Sequence, residues 1–250
     1  MDGVKVLRST QIIILGICFV VATITSTVIL SKGLLQMKKY SEQVVKVTGS
    51  AEKNITSDAM VWKLSFSRRD VKMVGAFDLL KEDLKMVKGY LLSKSVKESE
   101  IIIAPVTTTV LYKKNEKGNN TNEIEGYILD QEIEVRSNDV IKVTEVSRQA
   151  TELIEKGLEV ISQAPEYFYT KLPELKLSML SEATENAKKR AESMAKASGN
   201  KIGSIRSARM GVFQITPVNS YDVSDWGMND TSSLEKKVNA VVNVEFAISE

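Results

Sequence analysis

VNAVVNVEFAI, residues 238–248, places Val238, Ala240, Val242, Val244, Phe246 and Ile248 on one face, with mostly polar or small residues between them. A period of two sustained this long is a β-strand with one buried face. Such a strand belongs inside a sheet, because an unpaired backbone edge of that length invites association. The rest of the chain must therefore supply flanking strands and a layer to cover the apolar side.

The same period recurs upstream. Val44 to Thr48 reads as a strand, with Gly49-Ser50 marking a bend or a place of close backbone approach. Met60, Trp62, Leu64 and Phe66 alternate with Val61, Lys63, Ser65 and Ser67 in a half-buried strand. Ile101 to Tyr112 is β-branched enough for another strand, and Pro105 puts it at an edge or a bulge. After the polar loop 113–122 (KKNEKGNNTN), a return strand turns Tyr127, Leu129, Gln131, Ile133 and Val135 inward and Asp130, Glu132, Glu134 and Arg136 outward. Leu158 to Lys171 holds a further strand with the aromatic cluster Tyr167, Phe168 and Tyr169, and Lys201 to Thr216 is one broken by Gly203 and Gly211.

Between these strands the period changes to that of a helix. From about Lys72 to Lys94, Met73, Phe77, Leu80, Leu84, Val87 and Leu91 form one apolar stripe, short for a coiled coil and suited to packing on a sheet. Asn138 or Asp139 caps a second helix that carries Val143, Val146, Ala150 and Leu153 inward as far as about Gly157. Pro173 opens a third, with Leu180, Ala183, Ala187, Ala191 and Met194 along one side and Gly199-Asn200 at its end. The fold expected is α+β, largely antiparallel sheet packed by about three helices.

Ahead of this domain, Gln11 to Leu30 (QIIILGICFVVATITSTVIL) carries no charge, and with its flanks makes roughly 35 Å of helix against a bilayer core of about 30 Å. Its length and the lack of an A-x-A-like cleavage site favour a retained anchor over a signal peptide. The division expected is a tail over 1–10, a transmembrane helix over 11–31, a polar linker over 32–43 and one domain over 44–250. Residues 1–39 carry a net +4, which leaves −2 for residues 40–250 of a chain whose formal charge is +2. The basic balance thus belongs to the membrane flanks, and the domain does not read as a nucleic-acid binder. Lys32, Lys38 and Lys39 outweigh Lys5 and Arg8, so charge alone does not fix which side the domain faces.

The chain has no histidine, and its single cysteine, Cys18, lies in the apolar run. Disulfides within the chain, histidine-based triads, thiolate catalysis in the domain and Cys/His metal sites are therefore excluded. No Gly-rich phosphate loop or D-x-D-x-D-G type loop occurs. Glu132 and Glu134 share a strand face beside Arg136 and read as a solvated surface rather than an acid/base pair. No catalytic, cofactor-binding or metal-ligating residue is assigned. The candidates for contact with a partner or ligand are Tyr167 and Tyr169, together with Tyr221 and Trp226 in the long polar loop 217–234.

Val47-Thr48-Gly49-Ser50-Ala51-Glu52 followed by Asp58, then Gly126-Tyr127 with Val135, then the series Ala183, Ala187, Ala191, Ala195, Gly199 and Ile202-Gly203, together resemble the SIMPL domain, also called DUF541. The resemblance spans about Val44 to Ile248. Ser57 stands where the family usually has proline, and the Pro-Gly usual before the last strand is absent. The resemblance implies a membrane-anchored or exported bacterial cell-envelope protein, with links in some members to oxidative-stress defence and, in a relative, assembly into a ring-like oligomer. It implies no catalytic residues, and it turns the domain toward the extracytoplasmic side. The function expected is that of a non-enzymatic single-pass envelope protein whose domain self-associates through sheet edges or the alanine-rich helix. The alternative is a module that binds a lipid or a cell-wall fragment.

Overall fold

The computed structural model describes residues 2–42, 44–220 and 222–249. In chain order the elements are α1 (Asp2–Glu42), β1 (Val44–Thr56), β2 (Ala59–Asp70), α2 (Met73–Ser93), β3 (Ile101–Ile103), β4 (Thr107–Lys114), β5 (Asn120–Ser137), α3 (Val140–Gln149), α4 (Glu152–Glu155), β6 (Val160–Ser162), β7 (Glu166–Phe168), α5 (Leu172–Ala197), β8 (Lys201–Met210), β9 (Gln214–Pro217) and β10 (Glu235–Ser249). The architecture is α+β with antiparallel sheets. The chain clusters into two compact units, one of Met1–Ser50, Ala183–Gly211 and Val242–Glu250, the other of Ala51–Glu182 and Val212–Val241. β1, α5 and β10 each contribute to both.

In the second unit, β5 pairs with β2 along the whole run from Met60↔Ser137 to Asp70↔Tyr127. β3 and β4 follow one another along the free side of β5, and β6 and β7 along that of β2. Both outer rows are interrupted at a proline, Pro105 on one edge and Pro165 on the other. Proline has no N–H for the ladder, so each edge is cut into short strands that offer little template to another chain. The break at Pro105 is stitched by Gln131, whose side-chain N–H donates to Ala104 O at 3.0 Å.

The alternation in β2 holds: Met60, Trp62, Leu64 and Phe66 are buried, as are Leu129, Gln131, Ile133 and Val135 of β5. α2 and α3 cover this face with Leu80, Val87, Tyr90 and Leu91 from one and Val143 and Val146 from the other. Tyr90 donates its hydroxyl to Val146 O at 3.1 Å, and burial, with Glu152 nearby, pushes its phenol up to about 12. The buried line of α2 differs from the expected stripe, because Met73 and Phe77 are exposed and Ala76 and Asp83 take inward positions. The reason is Arg68 on β2, which holds Asp83 through Nε at 2.5 Å and Nη2 at 2.8 Å and sets the helix rotation around that ion pair. α3 begins at Asp139, whose carboxylate accepts from Lys142 N at 3.3 Å.

In the first unit, β10 lies between β1 and β8. Val47, Val242, Val244 and Phe246 are buried on the strands, and Ala183, Ala187, Ala191 and Ala195 on α5. Gly49 is where strand and helix come closest: a β-carbon there would lie 2.1 Å from Ala183 O and 2.6 Å from Ala187 N. β1 therefore runs straight through Gly49, and of the two expectations close approach holds and the bend does not. Asn186 accepts from Ser50 N at 3.2 Å, and Arg190 donates to Thr48 O at 3.0 Å, fastening the helix to β1. Met194, expected on the inner side of α5, is exposed, and Ala195 is inside in its place.

The apolar run lies in α1, where Ile14–Met37 is long and apolar enough to cross a membrane and none of it is buried. α1 extends beyond both limits expected from hydropathy, so the segment expected to be a linker is helical as far as Glu42. Nothing between Gly33 and Glu42 breaks a helix, and one already nucleated by the apolar run propagates at little cost.

Candidate functional site

Each residue singled out for contact now has a place, except Tyr221, which lies outside the described residues. Tyr167 is buried at the edge of the second unit's core. Its hydroxyl is 3.1 Å from that of Thr144, its N–H donates to Thr231 O at 2.7 Å, and its own carbonyl accepts from Lys236 Nζ at 2.6 Å. These bonds fix Tyr167 in place, and Tyr169, two residues on, is half-buried. β7 is only three residues long, and alternation along it sends adjacent rings of the cluster to opposite sides. Trp226 is the reverse case, 93% exposed.

The loop that carries Trp226 is held by two polar side chains absent from the expected set. Gln214 of β9 donates to Ser224 O at 2.6 Å and accepts from Ser224 N at 3.3 Å and Met228 N at 2.9 Å. Ile215 adds backbone bonds, donating to Met228 O at 2.8 Å and accepting from Asp230 N at 3.0 Å. Lys236, 3% exposed, inserts its ammonium between Tyr167 O and Asp230 O. Burial pushes Lys236 below its ordinary range against the pull of Asp230. Burial also opposes ionisation of Asp230, yet the hydroxyl and N–H of Ser232, at 2.7 and 2.9 Å, hold its carboxyl below the usual range. The sequence carried a sign of this. Lys236 has the same parity as Val238 and Ala240, so extending the alternation backward by one step puts it inward.

Trp226 thus stands on a fixed turn. The other tryptophan, Trp62, is fully buried and donates Nε1–H to Ser162 Oγ at 3.0 Å. Iodide is expected to quench the Trp226 emission while sparing Trp62, and Trp226→Phe is expected to leave only a blue-shifted, iodide-insensitive signal. Equal quenching of the two would contradict this placement.

The residues that open the chain's motifs act in packing. Gly49 admits α5, and Gly126 admits the Asp70 carbonyl, which would lie 2.8 Å from a β-carbon. Asp58 accepts from Thr170 N at 2.7 Å and Thr170 Oγ1 at 2.8 Å, fixing the chain between β7 and α5. Ser57 donates its N–H to Leu234 O at 2.9 Å, a bond proline could not make. Glu134 is paired with Arg136 and lies 3.8 Å from Lys63, on the outward face of the sheet. Among the described residues no group of three or more acidic, cysteine or histidine side chains is placed to hold a metal.

Among the described residues, two open surfaces bear on function. Along β8, Ile205 and Met210 are 50% and 60% exposed beside Arg206 and Arg209, and β8 ends the strand order of the first unit. In the second unit a polar cavity of about 230 Å³ lies on β9 and β10 beside Ser220, Asp222 and Val223.

In a comparison with known families, the SIMPL model, described as a protein of unknown function (DUF541), matches residues 45–246. No curated protein matches the chain.

Proposed function

We propose that this chain, which belongs to the SIMPL family, works as a non-enzymatic, single-pass envelope protein: α1 holds it in the membrane, and the α+β portion self-associates on the extracytoplasmic side. The observation that carries this reading is the helix Ile14–Met37, wholly exposed and too apolar to stay in water, on a chain that also presents an open strand edge. Tethering copies to one membrane raises their effective concentration for each other, so a modest edge contact suffices for assembly. The alanine stripe of α5 is buried within its own unit, which moves the proposed contact to the sheet edge. Lys201, Arg206 and Arg209 along β8 disfavour pairing β8 with β8 of a second copy and favour β1, the opposite end of the same strand order. Such a head-to-tail contact builds closed rings or chains rather than simple dimers. The side assigned to the domain follows the family resemblance.

Membrane attachment is tested by alkaline carbonate washing of membranes, with protease added to intact and to opened cells. The full chain is expected to stay in the pellet and its domain to be digested in cells whose outer layers alone are breached. Release by carbonate, or protection until the inner membrane is lysed, would contradict the anchor or the sidedness respectively.

A further inference from the structure

We propose that the cavity on β9 and β10 is a binding site for a small neutral polyhydroxylated ring, a ligand of the monosaccharide class. Within the second unit β9 and β10 are paired Gln214↔Asn239 and Thr216↔Lys237. One face of this pair is ordinary core, with Ile215, Val238 and Ala240 buried. The other face carries Gln214, Thr216, Lys237 and Asn239, and Glu52 of β1 joins them. A polar sheet face normally lies in water. This one is bordered by Ser220, Asp222 and Val223, and Gln214 and Thr216 are only 9% and 3% exposed.

Holding the loop accounts for Gln214, whose amide is spent on Ser224 and Met228. It does not account for Asn239, whose buried Oδ1 has no hydrogen-bond partner among the described residues. Sealing an amide oxygen away from donors is costly unless a bound group supplies one. An asparagine amide presents an acceptor and a donor side by side, which a pair of neighbouring hydroxyls satisfies together.

The charges narrow the class further. Glu52 and Asp222 both line the space and repel a carboxylate or phosphate, while Lys237 already has an interaction partner. A simple amine would meet the acceptors but leave the Asn239 N–H groups and the Thr216 hydroxyl without acceptors. The volume of about 230 Å³ is below the roughly 300 Å³ at which drug-sized pockets begin, which suits a single ring.

Saturation-transfer NMR on the full chain, in a detergent without a sugar headgroup and with N-acetylglucosamine as the probe, tests this. Transfer is expected for the wild type at millimolar probe, and Asn239→Leu is expected to weaken binding about tenfold or more. Thr216→Val, which keeps the side-chain shape, guards against a fold defect and is expected to weaken binding in the same direction at an unchanged melting temperature. The proposal is overturned by absence of transfer at about 10 mM probe, by equal transfer in both variants, or by putrescine or glutamate binding where the sugar does not.

Discussion

Replacing Gly49 with alanine is expected to destabilise the protein by about 3 kcal/mol or more, the upper range for forcing a group into a filled site. The added carbon would lie 2.1 Å from Ala183 O, 2.6 Å from Ala187 N and 2.7 Å from Ala187 Cβ. Two of these are backbone atoms of α5, so no rotamer change relieves the clash and the helix itself must move. Moving it strains the Arg190 bond to Thr48 O and the Asn186 bond to Ser50 N together. Thermal unfolding should record a drop on the order of 10 °C, given about 2–4 °C per kcal/mol for a chain of this size. Gly89 is the internal control, since a β-carbon there meets nothing within 4 Å on the exposed side of α2, one turn before its C-terminal end. Gly89→Ala is expected to stabilise by about 0.5–1 kcal/mol through helix propensity alone. Equal effects at the two glycines would refute the close approach.

The second large effect is expected at Asp83. Its side chain is 2% exposed and takes both guanidinium contacts of Arg68, which also donates to Gly157 O at 3.0 Å. The carboxylate holds Arg68 above its ordinary range by hydrogen bond and charge, against the cost of burial. Asp83→Ala leaves that cation over the core without its partner, and the loss expected is about 3–5 kcal/mol, as for other broken buried pairs. Replacing the pair together, Arg68→Met with Asp83→Leu, is expected to recover most of that loss, because the penalty lies in the orphaned charge. A double-mutant cycle by denaturant unfolding measures the coupling. Additive losses would show that the two side chains act independently.

What could be read in the sequence divides by how local its cause is. β2 and β10 were legible because each has one wet and one dry face, and alternation reports that contrast directly. The loss of Met73 and Phe77 from the inner face of α2 was not, since it depends on Arg68, on a neighbouring element, reaching a carboxylate inside the stripe. In α5 the inner residues follow steps of four, which drift about 40° per step around a straight helix. A twisted sheet stays beneath such a drifting line, and the small residue Ala195 fits there where the longer Met194 does not. Pro105 announced an edge, yet Pro165 performs the same service on the opposite edge and leaves β7 too short for Tyr167 and Tyr169 to share a face. Trp226 was visible as a residue in a polar loop, whereas its firm mounting was hidden, because Gln214 and Lys236 are joined to it only by the fold.

Assembly through the β8 edge is tested most directly by the mass of the full chain in detergent, measured by light scattering alongside Ile205→Lys, which adds a charge to that exposed edge. The wild type is expected to have a mass several times the 27.7 kDa of one chain, and the variant to fall to a single chain with its melting temperature unchanged. A strictly monomeric wild type, or a variant as large as the wild type, would contradict self-association through this edge.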